Sequence, residues 1–298
     1  MNARKTLPAF CFLIAVLLAP VTSCMPKFTV YDSRVPADRT HLNKRALERI
    51  AGMEDRGAKS AVTETSPRTR FRIGVLTDTH NDYADFEKAV EQLNRRKDLD
   101  FVVLVGDMTN IGMIWEYNQA YAVMRRLRVP LVSVMGNHDA VAFGKQIYAD
   151  MFGDDNFAFT HKGVRFVAWN NVKLEFERNT HDFASLERQL ERKGDERTTV
   201  VMSHIPPTET ENQIYSSAER VQLQGIFERN GVDVSLNGHI HAYGRVQVKG
   251  VDYVIAQRVR DVHYGILTFE VDGTTNYEQC KAGICSAKPK AVEVAKWN

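Results

Sequence analysis

The sequence predicts an α/β layered domain built on a mixed sheet, on three observations. Short apolar runs rich in β-branched residues recur from Phe71 onward, as in "FVVLVGD" (101–107) and "TTVVMSH" (198–204). Amphipathic stretches of helical period separate them, which implies parallel crossovers covered on both faces. The last third is strand-rich, with "GRVQVKG" (244–250), "VDYVIAQRV" (251–259) and "YGILTFEVDG" (264–273) close enough to add antiparallel hairpins.

Taken in order, "FRIGVLT" (71–77) reads as a strand, "YADFEKAVEQLNRR" (83–96) as a helix and "FVVLVGD" as a strand. "IWEYNQAYAVMRRLR" (114–128) is a second helix and "PLVSVMG" (130–136) a third strand, after which 140–160 reads as loop. "VRFVAWN" (164–170), "TTVVMSH" and "VDVSLNG" (232–238) are strands, alternating with helices over "DFASLERQLERK" (182–193) and "AERVQLQGIFERNG" (218–231). Such alternation builds a layered α/β domain over 70–272, with 273–298 as a C-terminal tail.

The N-terminus has a different character. "MNARKTLPAFCFLIAVLLAPVTSC" starts basic at Arg4 and Lys5 and continues apolar from Leu7 to Ala19. That stretch is short of the roughly 20 residues a membrane span needs, and it fits a secretory signal over 1–23. "VTSC" resembles the lipobox of bacterial lipoproteins, which implies cleavage before Cys24 and a lipid anchor on it; the alternative is an ordinary signal with Cys24 a bystander. Under the first reading the protein is exported to a bacterial cell envelope and membrane-tethered. Met25, not aspartate, follows the cysteine, which favours the outer membrane where that sorting rule operates. Residues 24–69 then form a tether with a candidate docking helix, patterned through Leu42, Ala46, Leu47 and Ile50 and capped at Thr40. Cys11 belongs to the signal, so the mature body keeps Cys280 and Cys285, whose short "CKAGIC" loop predicts a disulfide in an oxidising compartment.

The chain has 298 residues, is 44% hydrophobic and carries 39 basic against 37 acidic residues. That balance leaves no electrostatic footprint for a nucleic-acid scaffold, so attraction for a charged substrate must be local to a site.

The strand ends supply such a site. Asp78 and His80 follow the first strand, Asp107 the second, and Asn137, His138 and Asp139 the third; His204 ends a later one and His239 and His241 the last. Open α/β sheets place their sites outside the carboxyl ends of strands. Five of the nine histidines stand in these clusters, with glycines at 106, 136 and 238 beside them that let backbone approach closely. His41, His161, His181 and His263 lie outside.

These blocks, "DTH" (78–80), "GD" (106–107), "GNHD" (136–139), His204 and "GHIH" (238–241), resemble the calcineurin-like metallophosphoesterase family over about residues 71–270. The resemblance implies a four-layer α/β/β/α sandwich with mixed sheets. It implies one metal held by Asp78, His80, Asp107 and His241 and a second by Asp107, Asn137, His204 and His239. Asp107 bridges them, and His138 acts beside the substrate; Asp139 reads as structural. Two divalent ions, Mn, Fe or Zn by the oxygen and nitrogen donor set, would activate a bridging hydroxide against a phosphomono- or phosphodiester. Asn137 and the histidines add no negative charge, so such a site still attracts an anion. Many relatives carry an aspartate three residues after the bridging one, where this chain has Asn110; purple acid phosphatases carry tyrosine there. "GDMTNIG" resembles the "GD-x-T-x-x-G" block of cyclic-nucleotide phosphodiesterases, so a diester is slightly favoured. Asn81, Asn110 and Tyr243 are candidate substrate contacts, with Trp115, Tyr117 and Tyr215 as further aromatics near strand ends. The competing reading is a non-catalytic metal-binding scaffold lipoprotein that keeps the fold.

Overall fold

The computed structural model describes residues 33–58, 69–192, 194, 196–207 and 214–288. Cys24 and the segment 1–23 lie outside the described residues, as does the linker 59–68.

Helix α1 (Leu42–Ala58) comes first. The order continues β1 (Phe71–Leu76), α2 (Tyr83–Arg95), β2 (Leu99–Val105), α3 (Ile114–Met124), β3 (Leu131–Val134) and α4 (Gly144–Phe152). Then follow β4 (Phe157–His161), β5 (Val164–Ala168), α5 (Phe183–Leu190), β6 (Thr198–Met202), α6 (Ser217–Arg229) and β7 (Val234–Asn237). Strands β8 (Gly244–Val248), β9 (Val251–Ile255), β10 (His263–Phe269), β11 (Thr275–Lys281) and β12 (Ile284–Ser286) close the chain. Among the described residues no helix is long and apolar enough to cross a membrane.

Two six-stranded sheets result, ordered β12-β11-β10-β1-β2-β3 and β4-β5-β6-β7-β9-β8. In each, a parallel centre (β1, β2, β3; β5, β6, β7, β9) carries antiparallel additions. Alternation along the strands assigns their faces. Ile73, Val75, Phe101, Val103 and Val105 meet Phe166, Val200, Met202, Val234 and Leu236 in a core between the sheets. The opposite faces take helices: Leu76, Val102 and Leu104 pack with Phe86, Val90, Leu93, Tyr117 and Ile147, while Val167 and Val201 pack with Leu186, Leu223, Ile226 and Phe227. The layers therefore run helix, sheet, sheet, helix.

Three sequence expectations need correction. The stretch 140–160, read as loop, contains α4 and β4. The tail from 273 supplies β11 and β12, which extend the first sheet in register with β10, and Cys280 is disulfide-bonded to Cys285 across that hairpin. Helix α1 docks on the domain as its pattern suggested, but it starts at Leu42, so the residue directly before it is His41 and not Thr40, whose hydroxyl donates to Ala37 O.

The attachment of α1 answers a physical need. Strand β3 is an edge strand, and an edge exposes unpaired backbone groups. The buried Asn43 amide closes part of it: Nδ2 donates to Ser133 O at 3.0 Å and Ser133 N donates to Asn43 Oδ1 at 2.8 Å. Tyr148 OH, from α4, donates to the same Ser133 carbonyl at 2.9 Å. Replacing Asn43 with alanine strands a buried N–H, so Asn43→Ala should lower unfolding stability by about 2 kcal/mol. Urea unfolding of the two proteins measures this; an equal midpoint would show α1 to be a passive attachment.

Candidate metal centre

The parallel centres of both sheets point their carboxyl ends the same way, and the connections leaving β1, β2, β3, β6 and β7 meet there. Backbone bonds lock the ends together, with Asp78 N donating to Gly106 O, His80 N to Asp107 O and Gly238 N to His204 O. Among the bonds that cross from one sheet to the other, two meet at this end. His204 Nδ1 lies 2.8 Å from Val105 O, and His239 N donates to Asp78 Oδ2 at 3.0 Å.

Donor atoms of Asp78, His80, Asp107 and His241 fall within 4.8 Å of one another, and so do those of Asp107, His204 and His239. Asp107 is common to both groups. Asn137 joins the second side, its Oδ1 being 3.0 Å from His239 Nδ1. The two histidines of "GHIH" thus face different groups.

Hydrogen bonding decides which atoms remain for a ligand. A carbonyl can only accept, so His80 Nδ1, 3.0 Å from Thr109 O, and His204 Nδ1 must both carry hydrogen. Their Nε2 atoms then hold lone pairs when neutral, the arrangement in which a second partner orients a metal-ligating imidazole. Each aspartate divides its oxygens similarly. Asp78 Oδ2 accepts from Thr77 Oγ1 and His239 N, and Asp107 Oδ1 accepts from His138 N. Asp78 Oδ1, Asp107 Oδ2 and His204 Nε2 are buried and make no hydrogen bond. His204 Nε2 and Asp107 Oδ2 approach to 3.1 Å without hydrogen-bond alignment. Buried polar atoms ordinarily have partners, and three orphans converging on one point fit a cation.

The charges fit as well. Burial opposes the charge on Asp107, but the imidazoles of His204, His138 and His80 outweigh it and hold the carboxyl well below the usual range. For Asp78 burial is likewise overcome, by the His241 ring, whose Nε2 lies 3.2 Å from Oδ1, and by the charge of His204. Burial disfavours charge on His204 too, yet Asp107 and Asp78 lift it to about 10. Burial and the neighbouring His204 press His239 down to about 4, and burial also lowers His80, which favours the neutral form that can coordinate. A cation and the proton on His204 compete for the same pair of aspartates.

The backbone carries a further signature. Asp78, His80, Asp107, His239 and His241 all have positive φ, between 41° and 70°. Non-glycine residues adopt that region at a cost of order 1–3 kcal/mol each, and such strain gathers at functional sites.

A family model for calcineurin-like phosphoesterases matches residues 71–243. The chain belongs to this family. Within this metallophosphoesterase family it is 34% identical over 130 residues to the glycerophosphodiester phosphodiesterase GpdQ of Enterobacter lignolyticus, covering 39% of this chain and 46% of that one. A probable cyclic nucleotide phosphodiesterase of Rhodopseudomonas palustris is 30% identical over 165 residues, 47% of this chain and 59% of that one. The chain therefore spans about half the length of the curated relatives it matches. The purple acid phosphatase PPD1 of yellow lupin shares the fold at a TM-score of 0.58 and 14% identity, over 73% of this chain and 53% of that one.

Other residues singled out from sequence fall in various places. His138 is half-buried beside His80, and its Nδ1 lies 2.6 Å from Asn110 O. Asn110 thus serves the metallophosphoesterase site through its main chain, which any residue supplies, and not through its side chain. Asp139 accepts from Gly136 N, Thr109 N and Thr109 Oγ1, while burial and Asp107 push its carboxyl up to about 7. Tyr243 is a correction: it is buried in the inter-sheet core and stacked on Tyr277. Tyr117 and Tyr215 are buried as well, Tyr117 bonding Asp139 O and Tyr215 stacking on His181. Asn81 and Trp115 are exposed. Sequence reasoning missed Thr77, which sits next to Asp78 in the chain, and the carbonyls of Val105 and Thr109, which no side-chain pattern announces. It also missed Arg258, held 2.6 Å from Asp82 with Nη1 3.3 Å from His241 Nδ1, where it adds positive charge.

Gly238 is required by close approach. A Cβ there would lie 2.0 Å from Thr77 Oγ1 and 2.7 Å from Asp78 Oδ2. Gly238→Ala should displace the Asp78 carboxylate, and the rise in thermal midpoint that saturating Mn²⁺ gives the wild type should fall by more than half. Differential scanning fluorimetry with and without Mn²⁺ reads this; an unchanged rise would show that the contact does not constrain the site.

Proposed function

We propose that the protein hydrolyses phosphodiesters at a dinuclear metal centre, as an exported protein tethered to a membrane through Cys24. The observation that carries the catalytic part is the convergence of Asp78 Oδ1, Asp107 Oδ2 and His204 Nε2, buried and without hydrogen-bond partners, between two donor groups that share Asp107. Asp78, His80, Asp107 and His241 would hold one divalent ion, and Asp107, Asn137, His204 and His239 the other. When bound, such ions supply Lewis acidity to a phosphoester and to water. Oxygen and nitrogen donors without thiolate suit Mn, Fe or Zn.

The chain's own residues do the rest. Asn110 O fixes His138 by its Nδ1 hydrogen, so the ring can turn only its Nε2 edge toward a substrate. In its imidazolium form that edge donates a proton to the departing oxygen. The His138 main-chain N–H holds Asp107 Oδ1, which ties the acid to the carboxylate common to both donor groups. Arg258 adds attraction for an anionic diester at the His241 side. The phosphodiesterase names of both curated relatives support a diester over a monoester.

The catalytic reading predicts hydrolysis of bis(p-nitrophenyl) phosphate by protein reconstituted with Mn²⁺, lost on chelation and recovered on readdition. His138→Ala should lower kcat by 10²–10⁴-fold with metal content retained, as expected for a positioned proton donor. Asp107→Asn should abolish turnover and reduce bound metal, measured by elemental analysis. No turnover of mono- or diesters with Mn, Fe or Zn would leave the scaffold reading.

Tethering rests on the signal-like residues 1–23 and the lipobox-like "VTSC", and the Cys280–Cys285 disulfide suits an oxidising compartment. In a bacterial host, wild-type protein should partition with membranes and Cys24→Ser with the soluble envelope fraction, followed by immunoblot. Identical partitioning would refute the anchor.

A further inference from the structure

The strand that leads to His204 outlasts its neighbour on one side. Strands β5 and β6 pair in parallel up to Ala168 and Met202. Trp169 N then donates to Met202 O at 3.0 Å, the last backbone bond between them among the described residues. On the other side main chain still holds the β6 end, with Ser203 N donating to Leu236 O and Gly238 N to His204 O. Ser203, His204 and Ile205 are all buried, so the main-chain groups left open toward β5 need partners. Pro206 and Pro207 follow, and neither has an N–H with which the ladder could resume.

Asn171 supplies the missing partner. Its Nδ2 donates to Ile205 O at 2.6 Å, and Ile205 N donates to Asn171 Oδ1 at 3.2 Å. A primary amide carries the donor and the acceptor of a peptide group, so one side chain stands in for a rung of the neighbouring strand. Asn43 does the same for Ser133 on β3. Asn171 Nδ2 also donates to Tyr215 OH at 2.8 Å. Tyr215 is fixed in turn by stacking on His181 with ring centroids 3.9 Å apart, and His181 Nδ1 lies 2.9 Å from Glu219 Oε1. Asn171 and Tyr215 are both buried, which shields these bonds from water.

We propose that Asn171 is a positioning residue for the second donor group, holding the β6 end so that His204 Nε2 faces the shared Asp107. The inference rests on the dinuclear reading and assigns the side chain that steadies one of its two halves. Val105 O aims the His204 ring through Nδ1, but that bond directs Nε2 only while the main chain beneath the ring stays in place. Metal donors tolerate displacements of about 0.5 Å. Without Asn171, both main-chain groups of Ile205 would be unpaired in the interior, and the strand end would shift to find partners. Asp78, His80 and His241 stand on other strand ends, so the first donor group keeps its geometry.

Mn²⁺ titration in two single-site backgrounds separates the halves. His241→Ala leaves the second donor group intact, and His239→Ala leaves the first. Asn171→Leu keeps the side chain's bulk and removes the rung. It should weaken Mn²⁺ binding about tenfold or more in the His241→Ala background and less than about threefold in the His239→Ala background. Tyr215→Phe keeps the ring stack and releases only the Asn171 amide, so it should act in the same direction and by less. Thermal midpoints check folding, and Tyr215→Phe carries the test where the leucine variant does not fold. Equal weakening in both backgrounds would reveal general loosening of the fold and overturn the inference. Unchanged binding in the His241→Ala background would overturn it as well, in each case with the dinuclear reading left standing. A wild-type chain that binds fewer than two Mn²⁺ ions counts against the dinuclear reading itself and removes the inference with it.

Discussion

Two aspartates at the ends of neighbouring parallel strands set the constraint that the site obeys. Asp78 and Asp107 are both buried, and each spends one oxygen on hydrogen bonds while the other goes unbonded. Carboxylates in that situation repel each other and lose hydration, at a cost of several kcal/mol unless positive charge stands between them. Imidazoles supply part of it, and His204 is lifted to about 10 by this pull. A divalent cation answers the same demand more fully. The burial of His204 and the half-exposed ring of His241 (39%) give the pair of donor groups an inner and an outer side. Solvent reaches the pair from the outer one.

The backbone geometry follows from the same constraint. Turning a side chain from a strand end back toward a shared centre needs a sharp local reversal, and positive φ at Asp78, His80, Asp107, His239 and His241 provides it. Asp is among the residues that tolerate this region best, and His is enriched there too. The surrounding structure must over-determine such conformations for them to persist. Here it does so through bonds from one sheet to the other: His204 to Val105 O, and His239 N to Asp78 Oδ2. Sheet apposition and site geometry are thus one set of interactions.

What the sequence made legible follows from what burial does to side chains. The central strands are apolar on both faces, so their runs and polar ends were plain. The helix at Gly144–Phe152 was hidden because its start, "VAFGKQ", has glycine and no capping side chain. Strands β11 and β12 are mostly polar, with Lys281 and Ile284 exposed, which reads as a tail until pairing with β10 gives it a partner. Tyr117, Tyr215 and Tyr243 lie near strand ends in sequence just as contact residues would. Whether an aromatic there turns outward or into a core depends on layers that only tertiary packing defines, and all three turned inward. The carbonyls of Val105, Thr109 and Asn110, which orient His204, His80 and His138, belong to backbone and leave no trace in residue identity.

Helix α1 shows how far the support of the site extends. Its Asn43 holds Ser133 on the edge strand whose next residues lead to Asn137 and His138. Ser133 O also receives Tyr148 OH, and Tyr148 lies on α4, the helix that begins at the glycine packed against Asp139 O. From α1 through β3 and α4 to Asp139, Thr109 and Asn110 runs a chain of buried hydrogen bonds and backbone contact that ends on the His138 ring. An edge strand left open would have been free to fray, and its frayed end would have carried Asn137 and His138 with it. Covering that edge is therefore as much a requirement of the site as of stability, which is why the segment before the family-matched region packs as part of the domain.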